Sequence, residues 1–244
     1  LYGYVMKIKD RVVLSGAFYN TNVALQPTLD LLNVAQAQFF ANAVNTTNTG
    51  LDVILNYSKK WSGKSVNVLF AGNFQHMKID KINVPAALNK SYTEQQSFFS
   101  DREQKFVLAS APPVKMGFTF DYGFCPAFKL GTHLTYFGKI DLLGYGYNTA
   151  YPPTVTLDAD PNAVRPEEFN YSPKVTTDFY LSYKINKGVT LFAGADNIFN
   201  VHPDLGYVEG DKLSAYDGET GGPWDAVQMG TNGARPFMNA KFNF

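Results

Sequence analysis

Residue spacings that could carry chemistry are few in this chain, and each fails its own requirement. Trp61-Ser62-Gly63-Lys64-Ser65 ends like a phosphate-binding loop, but that loop needs a second Gly five residues before Gly63, where Ser58 stands. A tight turn between two strands is the better reading. Gly144-Tyr145-Gly146-Tyr147 has neither a third Gly nor a following helical pattern to receive a dinucleotide. Asp158, Asp160 and Asn162 take the first alternate positions of a calcium loop, yet Ala163 stands where the loop turns on Gly and Phe169 where it needs a bidentate Glu. A solvated acidic loop fits them better. His76, His133 and His202 lie far apart, without paired ligand spacing. No Ser sits in a Gly-x-Ser-x-Gly elbow, and Glu167-Glu168 has no second carboxylate that can be placed opposite it. The residues supply no catalytic, cofactor-binding or metal site, and the chain reads as a non-enzyme.

The segment from Val201 to Gly230 differs in kind. It carries six acids (Asp204, Glu209, Asp211, Asp217, Glu219, Asp225) and three aromatics, Tyr207, Tyr216 and Trp224. Aromatics set among polar residues can form a binding surface, so these three are the candidate ligand contacts. The competing reading is that they pack the loop onto its neighbours.

The elements that would position such a loop are strands. In Arg235 to Phe244, Pro236, Met238, Ala240, Phe242 and Phe244 alternate with Arg235, Asn239, Lys241 and Asn243, which puts apolar and polar residues on opposite faces of an extended chain. The same alternation runs through 2–14 (Tyr2, Tyr4, Met6, Ile8 against Gly3, Lys7, Lys9), 50–60, 64–79, 105–124, 127–143, 174–186 and from Val189 onward. That makes eight predicted strands. Val66, Val68, Phe70, Phe118, Phe120, Val175, Phe179, Leu181 and Tyr183 are expected toward lipid. Asn67, Asn73, Asp121, Lys174, Asp178 and Lys184 are expected toward a polar lumen.

Connections alternate in length. Breaks near 61–64, 123–127 and 186–188 are tight, whereas 15–49, 80–100, 148–173 and 199–231 are long and polar. Short turns on one rim and long loops on the other is the layout of an outer-membrane barrel. Twenty Phe, fifteen Tyr and twenty Gly among 244 residues suit strands, turns and interfacial rings. No apolar run is long enough for a membrane helix, so any crossing would be made by strands. A net charge of +0 gives no electrostatic case for nucleic acid. Cys125 is the only cysteine, which excludes an internal disulfide. The chain starts at Leu1 without an initiator Met or signal segment and reads as a fragment or processed product.

The ordered series KDRVVLSGAF (9–18), AQFFANAVNTTNTGLDVILNY (37–57), SFFSDREQKFVLASAPPVKMGFTFDY (97–122), TYFGKID (135–141), PKVTTDFYLSYKINKGVTLFAGADNIFN (173–200) and HPD (202–204), closing on an aromatic C-terminus, resembles the TonB-dependent outer-membrane receptors. The resemblance covers essentially the whole chain. It implies an all-β, antiparallel transmembrane barrel of about 22 strands, of which residues 1–244 would be the C-terminal part, with the plug domain absent. It implies active import of a scarce nutrient such as a ferric siderophore across the outer membrane of a Gram-negative bacterium, energised through the TonB complex. The partners it implies are outer-membrane lipid, that complex through a missing N-terminal region, a small-molecule or metal-chelate ligand, and the barrel-insertion machinery, which would read Phe242 and Phe244 as an assembly signal. The alternatives are a small closed barrel with a structural or adhesive role, and a soluble module whose apolar faces meet each other.

Overall fold

The computed structural model describes residues 1–18, 36–86, 89–92, 95, 98–143, 168–204 and 228–242. Eight strands form one antiparallel sheet in the order β1-β2-β3-β4-β5-β8-β9-β10. They are β1 (Tyr2–Phe18), β2 (Gln36–Trp61), β3 (Lys64–Ile82), β4 (Val114–Gly123), β5 (Phe128–Phe137), β8 (Lys174–Lys184), β9 (Val189–Asp196) and β10 (Arg235–Phe242). A separate hairpin pairs β6 (Ile140–Leu143) with β7 (Glu168–Tyr171), and one helix, α1, spans Asp101–Ala109.

The tight turns follow from local chemistry. Ser62 and Gly63 sit at φ 42° and 79°, the doubly left-handed turn that matches the twist of paired strands. At the β8–β9 hairpin on the same rim, Asn186 Oδ1 accepts from the Gly188 and Val189 amides at 2.8 and 2.9 Å.

Register decides the faces. Val68, Phe120, Thr132, Phe179, Ala195 and Pro236 are successive cross-strand partners, so they share one face. Asn67, Asp121, Gly131, Tyr180, Gly194 and Phe237 share the other. Large apolar side chains on the first face stay in the open: Leu55 is 63% exposed, Tyr183 52% and Met238 80%. A sheet that leaves one whole face of Val, Leu, Phe and Tyr uncovered presents it to something apolar. From Val175 to Tyr183 that face runs about 27 Å along the strand, or roughly 20 Å once tilted, close to the height of a barrel's lipid band. Its turn-side border carries linked rings, with Trp61–Tyr122 centroids 6.4 Å apart, Tyr122–Phe124 4.7 Å and Phe124–Phe128 5.4 Å. Such a girdle marks an interface.

Several expectations change, and residues 80–82 and 168–171, expected within long loops, are strand. Residues 36–49 and 15–18 are strand, not loop. Beyond Leu51 and Phe74 the outward side chains become Thr49, Thr47, His76 and Lys78, so β1–β3 rise above the apolar band and lose their alternation there. Residues 105–109, expected to open a strand, finish α1, which starts on a capping box: the Glu103 amide donates to Ser100 Oγ and the Ser100 amide to the Glu103 carboxylate. Residues 138–143, expected to end a strand, leave the main sheet, and 140–143 join the β6–β7 hairpin. Finally, Tyr2, Tyr4, Met6 and Ile8 lie on the polar face, opposite Asp52, Gly50, Asn48 and Thr46. Alternation separates two faces without saying which is which; pairing with β2 sets the phase, and a bulge at Asp10 (φ 51°) resets it beyond Ile8.

The long connections interlock. Phe98, Phe99 and Val107 pack on Ala43, Val44, Ile79 and Ile82 of β2 and β3. Ala109 and Phe106 pack on Ile140, Leu142, Phe169 and Tyr171 of the hairpin.

Candidate functional site

The polar face is concave. A groove of about 530 Å³ is lined from seven strands, with Lys60, Asn67, Asp121, Lys129, Tyr180 and Lys241 among its walls. Its wall is built by a repeated device. Tyr180 lies over Gly131 of the neighbouring strand and hands its hydroxyl to Asp121 one strand further, whose second oxygen accepts from Asn67 Nδ2 at 3.2 Å. Tyr4 lies over Gly50 and reaches Gln75 Oε1 at 3.2 Å, while Asn73 Nδ2 donates to the Tyr4 hydroxyl at 3.2 Å and to Asp52 at 2.6 Å. Phe237 covers Gly194 in the same way. A ring over a glycine lies flat and leaves the concavity open. Sequence reading placed Asn67, Asn73 and Asp121 on this face but missed the rings and glycines of the device; the signal available was an aromatic in the polar phase, as Tyr180, Phe192 and Phe237 are.

At the end away from the tight turns a second polar assembly holds the strand tops. Asn197 and Asn200 take φ 46° and 53°, left-handed positions that Asn tolerates. Asn197 receives the Val201 amide on Oδ1 at 2.9 Å, donates from Nδ2 to the Val201 carbonyl at 2.8 Å, and gives its own amide to Asp178 at 2.8 Å. Asn200 Oδ1 accepts from the Ala234 amide at 2.9 Å, and Arg235 grips Asp196 from Nε and Nη2 at 3.0 and 2.6 Å. Gln228 donates to the carbonyls of Gly138 and Ser172 at 2.9 and 2.8 Å, tying the returning loop to the β6–β7 segment. The Asp-Asn-Ile-Phe-Asn run is therefore a clasp that holds β9, β10 and their loop together.

Asp204 joins that clasp to β8, accepting from the Ser172 amide and hydroxyl and from Lys174. Partial burial pushes its carboxyl upward, but Lys174 and the two Ser172 donors together hold it below the ordinary value of 3.8. A lowered folded-state pKa means the contact stabilises fully above that value and is lost as pH falls through and below it. Asp204→Asn should therefore raise hydrogen exchange at 172, 174, 201, 202 and 204 relative to wild type at pH 7, with the difference shrinking as the pH is taken well below 3.8. A difference that persisted there would remove Asp204 as the titrating tie.

Other sequence candidates scatter. His76 points outward from β3. His133 Nδ1 meets the Thr119 hydroxyl at 2.8 Å on the polar face, and His202 meets the Thr231 carbonyl at 3.2 Å in the clasp. Among the described residues no three His, Cys, Asp or Glu side chains form a metal-holding group. Phe242 ends β10 on the apolar face. Tyr207, Tyr216, Trp224 and Phe244 lie outside the described residues, as do Gly144, Gly146, Asp158, Asp160, Asn162 and Glu167.

A family model described as "TonB dependent receptor-like, beta-barrel" matches residues 3–198. No curated protein matches the chain. Among solved structures, the outer membrane transporter YddB from Escherichia coli is similar with a TM-score of 0.52 at 10% identity, over 99% of this chain and 30% of that one. The copper transporter OprC gives 0.50 at 15% identity, over 99% and 28%. The pyoverdine outer membrane receptor FpvA of Pseudomonas aeruginosa gives 0.50 at 13%, over 99% and 26%. Identities this low speak for the fold alone, and the chain spans less than a third of each of these proteins.

Proposed function

The chain belongs to the TonB-dependent receptor β-barrel family of the bacterial outer membrane, and from that premise we propose that it forms part of the wall of a receptor importing a scarce nutrient, a ferric siderophore being the first candidate. One observation carries the reading: in a chain of this family, an eight-stranded sheet turns a concave polar face inward and an uncovered apolar face outward. In this proposal residues 1–244 belong to a single barrel domain, and energy arrives through the TonB complex rather than from any reaction of the chain.

The closed eight-stranded alternative fits less well. Among the described residues β1 and β10 are the two ends of the strand order and do not pair. In lipid each unpaired backbone group costs several kcal/mol, so the edges call for further strands. Phe242 and Phe244 are proposed to guide insertion by the barrel-assembly machinery.

Ligand contact is proposed for Tyr207, Tyr216 and Trp224. Replacing all three by Ala should weaken uptake of labelled ferric pyoverdine, with a copper salt as the comparison arm, without lowering the amount of heat-modifiable barrel. Undiminished uptake would move the binding role to other segments, and uptake of neither ligand by cells making the wild-type protein would reject both nutrients.

A further inference from the structure

Two lysines flank an aromatic ring on the outward face, at the end where the strands turn tightly. Lys64 is the cross-strand partner of Trp61, while Lys59 lies two residues before Trp61 on β2, opposite Val66. All three side chains are exposed. The diagonal between paired strands puts Lys59 and Lys64 roughly 7 to 8 Å apart on one face, so a single phosphate set between them can accept from both ammonium groups. Neither makes an ion pair among the described residues. From Leu55, Phe70, Phe120 and Leu130 down to the turns, β2 to β5 turn no Asp or Glu outward. Asp121, the carboxylate of that stretch, faces the groove and accepts from Tyr180 and Asn67. The opposite end of β3 differs, because the outward Lys78 has Asp80 beside it at 3.0 Å.

We propose that Lys59 and Lys64 form a site for one phospholipid of net negative headgroup from the periplasmic leaflet, its phosphodiester bridging the two ammonium groups and its acyl chains lying over Tyr57, Val66 and Val68. Depth fits this occupant. The tight turns of such a barrel face the periplasm, and Trp61 with the Tyr122 ring, centroids 6.4 Å apart, marks the level of the headgroups. Tyr57, Val66 and Val68 continue the same face from there toward the midplane, where only hydrocarbon suits them. Charge selects the class of lipid. A zwitterionic headgroup carries a cation of its own into a place that already holds two and offers no acid to receive it, whereas a headgroup charged only at its phosphate meets attraction alone. The inference rests on the outward face meeting lipid but does not depend on which nutrient is carried.

Quenching of Trp61 by brominated lipids tests it, because the ring lies beside both lysines and bromine quenches only near contact. Full-length receptor is placed in liposomes of phosphatidylcholine and phosphatidylglycerol, with bromine carried on the acyl chains of one lipid and then of the other. The Trp61 signal is taken as the difference from a W61F counterpart. Expected is a preference for phosphatidylglycerol of roughly tenfold over its share of the bilayer, the order that two lysines at a lipid surface supply. It should be kept in K59R/K64R and lost in K59Q/K64Q. K60Q/K129Q, at the same end but facing the groove, should leave it unchanged. Equal quenching by the two lipids overturns the proposal and makes the lysines ordinary interfacial residues. A preference that survives in K59Q/K64Q, or one abolished by soluble glycerol phosphate, also overturns it, the latter by showing a free-anion site. Quenching by neither lipid would overturn it together with the outward assignment of this face, a failure distinct from a lost preference. The wild-type measurement decides even if K59Q/K64Q fails to assemble.

Discussion

Arginine in place of Phe179 is expected to destabilise the membrane-inserted sheet by roughly 2 to 4 kcal/mol, the cost of a cation at the lipid midplane of a strand barrel. Phe179 is the middle member of the β8 apolar series that runs from Val175 to Tyr183, and its cross-strand partners on the same face are Thr132 and Ala195. Neither partner can pair a guanidinium, and both rims are about 13 Å away along the strand, too far for the side chain to bring its charge to water easily. Asn239→Arg makes the matching control. Asn239 is exposed on the polar face of β10 and pairs with Phe192, so a charge there meets water. Urea titration of the protein in liposomes, read by heat-modifiable mobility, should show a lowered midpoint for the first variant and little change for the second. Equal midpoints would mean that the face called lipid-facing does not touch lipid.

How much of this was legible beforehand depends on where a strand lies relative to the apolar band. Within it, water on one side and hydrocarbon on the other force a two-residue period, and the faces of β3, β4, β5, β8, β9 and β10 follow from sequence alone. Above it no hydrocarbon faces the sheet, and Thr46, Thr47 and Asn48 are polar residues buried on both faces, so Thr46 to Thr49 carry no alternation and read as loop although they are firmly paired. The helix left a sign in Ser100 and Glu103, but the partners that stabilise its Phe106 and Ala109, on β6 and β7, are more than thirty residues away. The clasp was visible only as a motif; its work needs Asn232, Ala234 and Arg235, which return from the far side of a long loop. The lumen wall was hidden for a different reason. A tyrosine in a polar phase looks like an error in the pattern until register places a glycine beneath it.

That pairing predicts a large effect from a small change. Gly131 is buried on β5, and a Cβ built there would overlap the Tyr180 ring and stand 2.5 Å from Asp121 Oδ1. Gly131→Val should therefore drive Tyr180 off the wall and break its hydrogen bond to Asp121. Overpacking costs roughly 1 to 3 kcal/mol, and a lost hydrogen bond to a charged group adds about 1.5 to 3 kcal/mol where water cannot replace it. Groove water will offset part of the second loss, so a total of roughly 2 to 4 kcal/mol is expected. The strain resides in the pair rather than in the valine itself, because β5 is an ordinary strand where a β-branched residue is otherwise welcome. Adding Tyr180→Ala to Gly131→Val should accordingly relieve the overpacking but not restore the hydrogen bond to Asp121, so the double variant is about as stable as Tyr180→Ala alone, with a coupling energy well above the few tenths of a kcal/mol seen between independent sites. Unfolding free energies of the wild type, both single variants and the double variant close the cycle. If Gly131→Val costs as much without the Tyr180 ring as with it, the ring does not rest on that glycine, and the device inferred at Tyr180 and Tyr4 alike would fall.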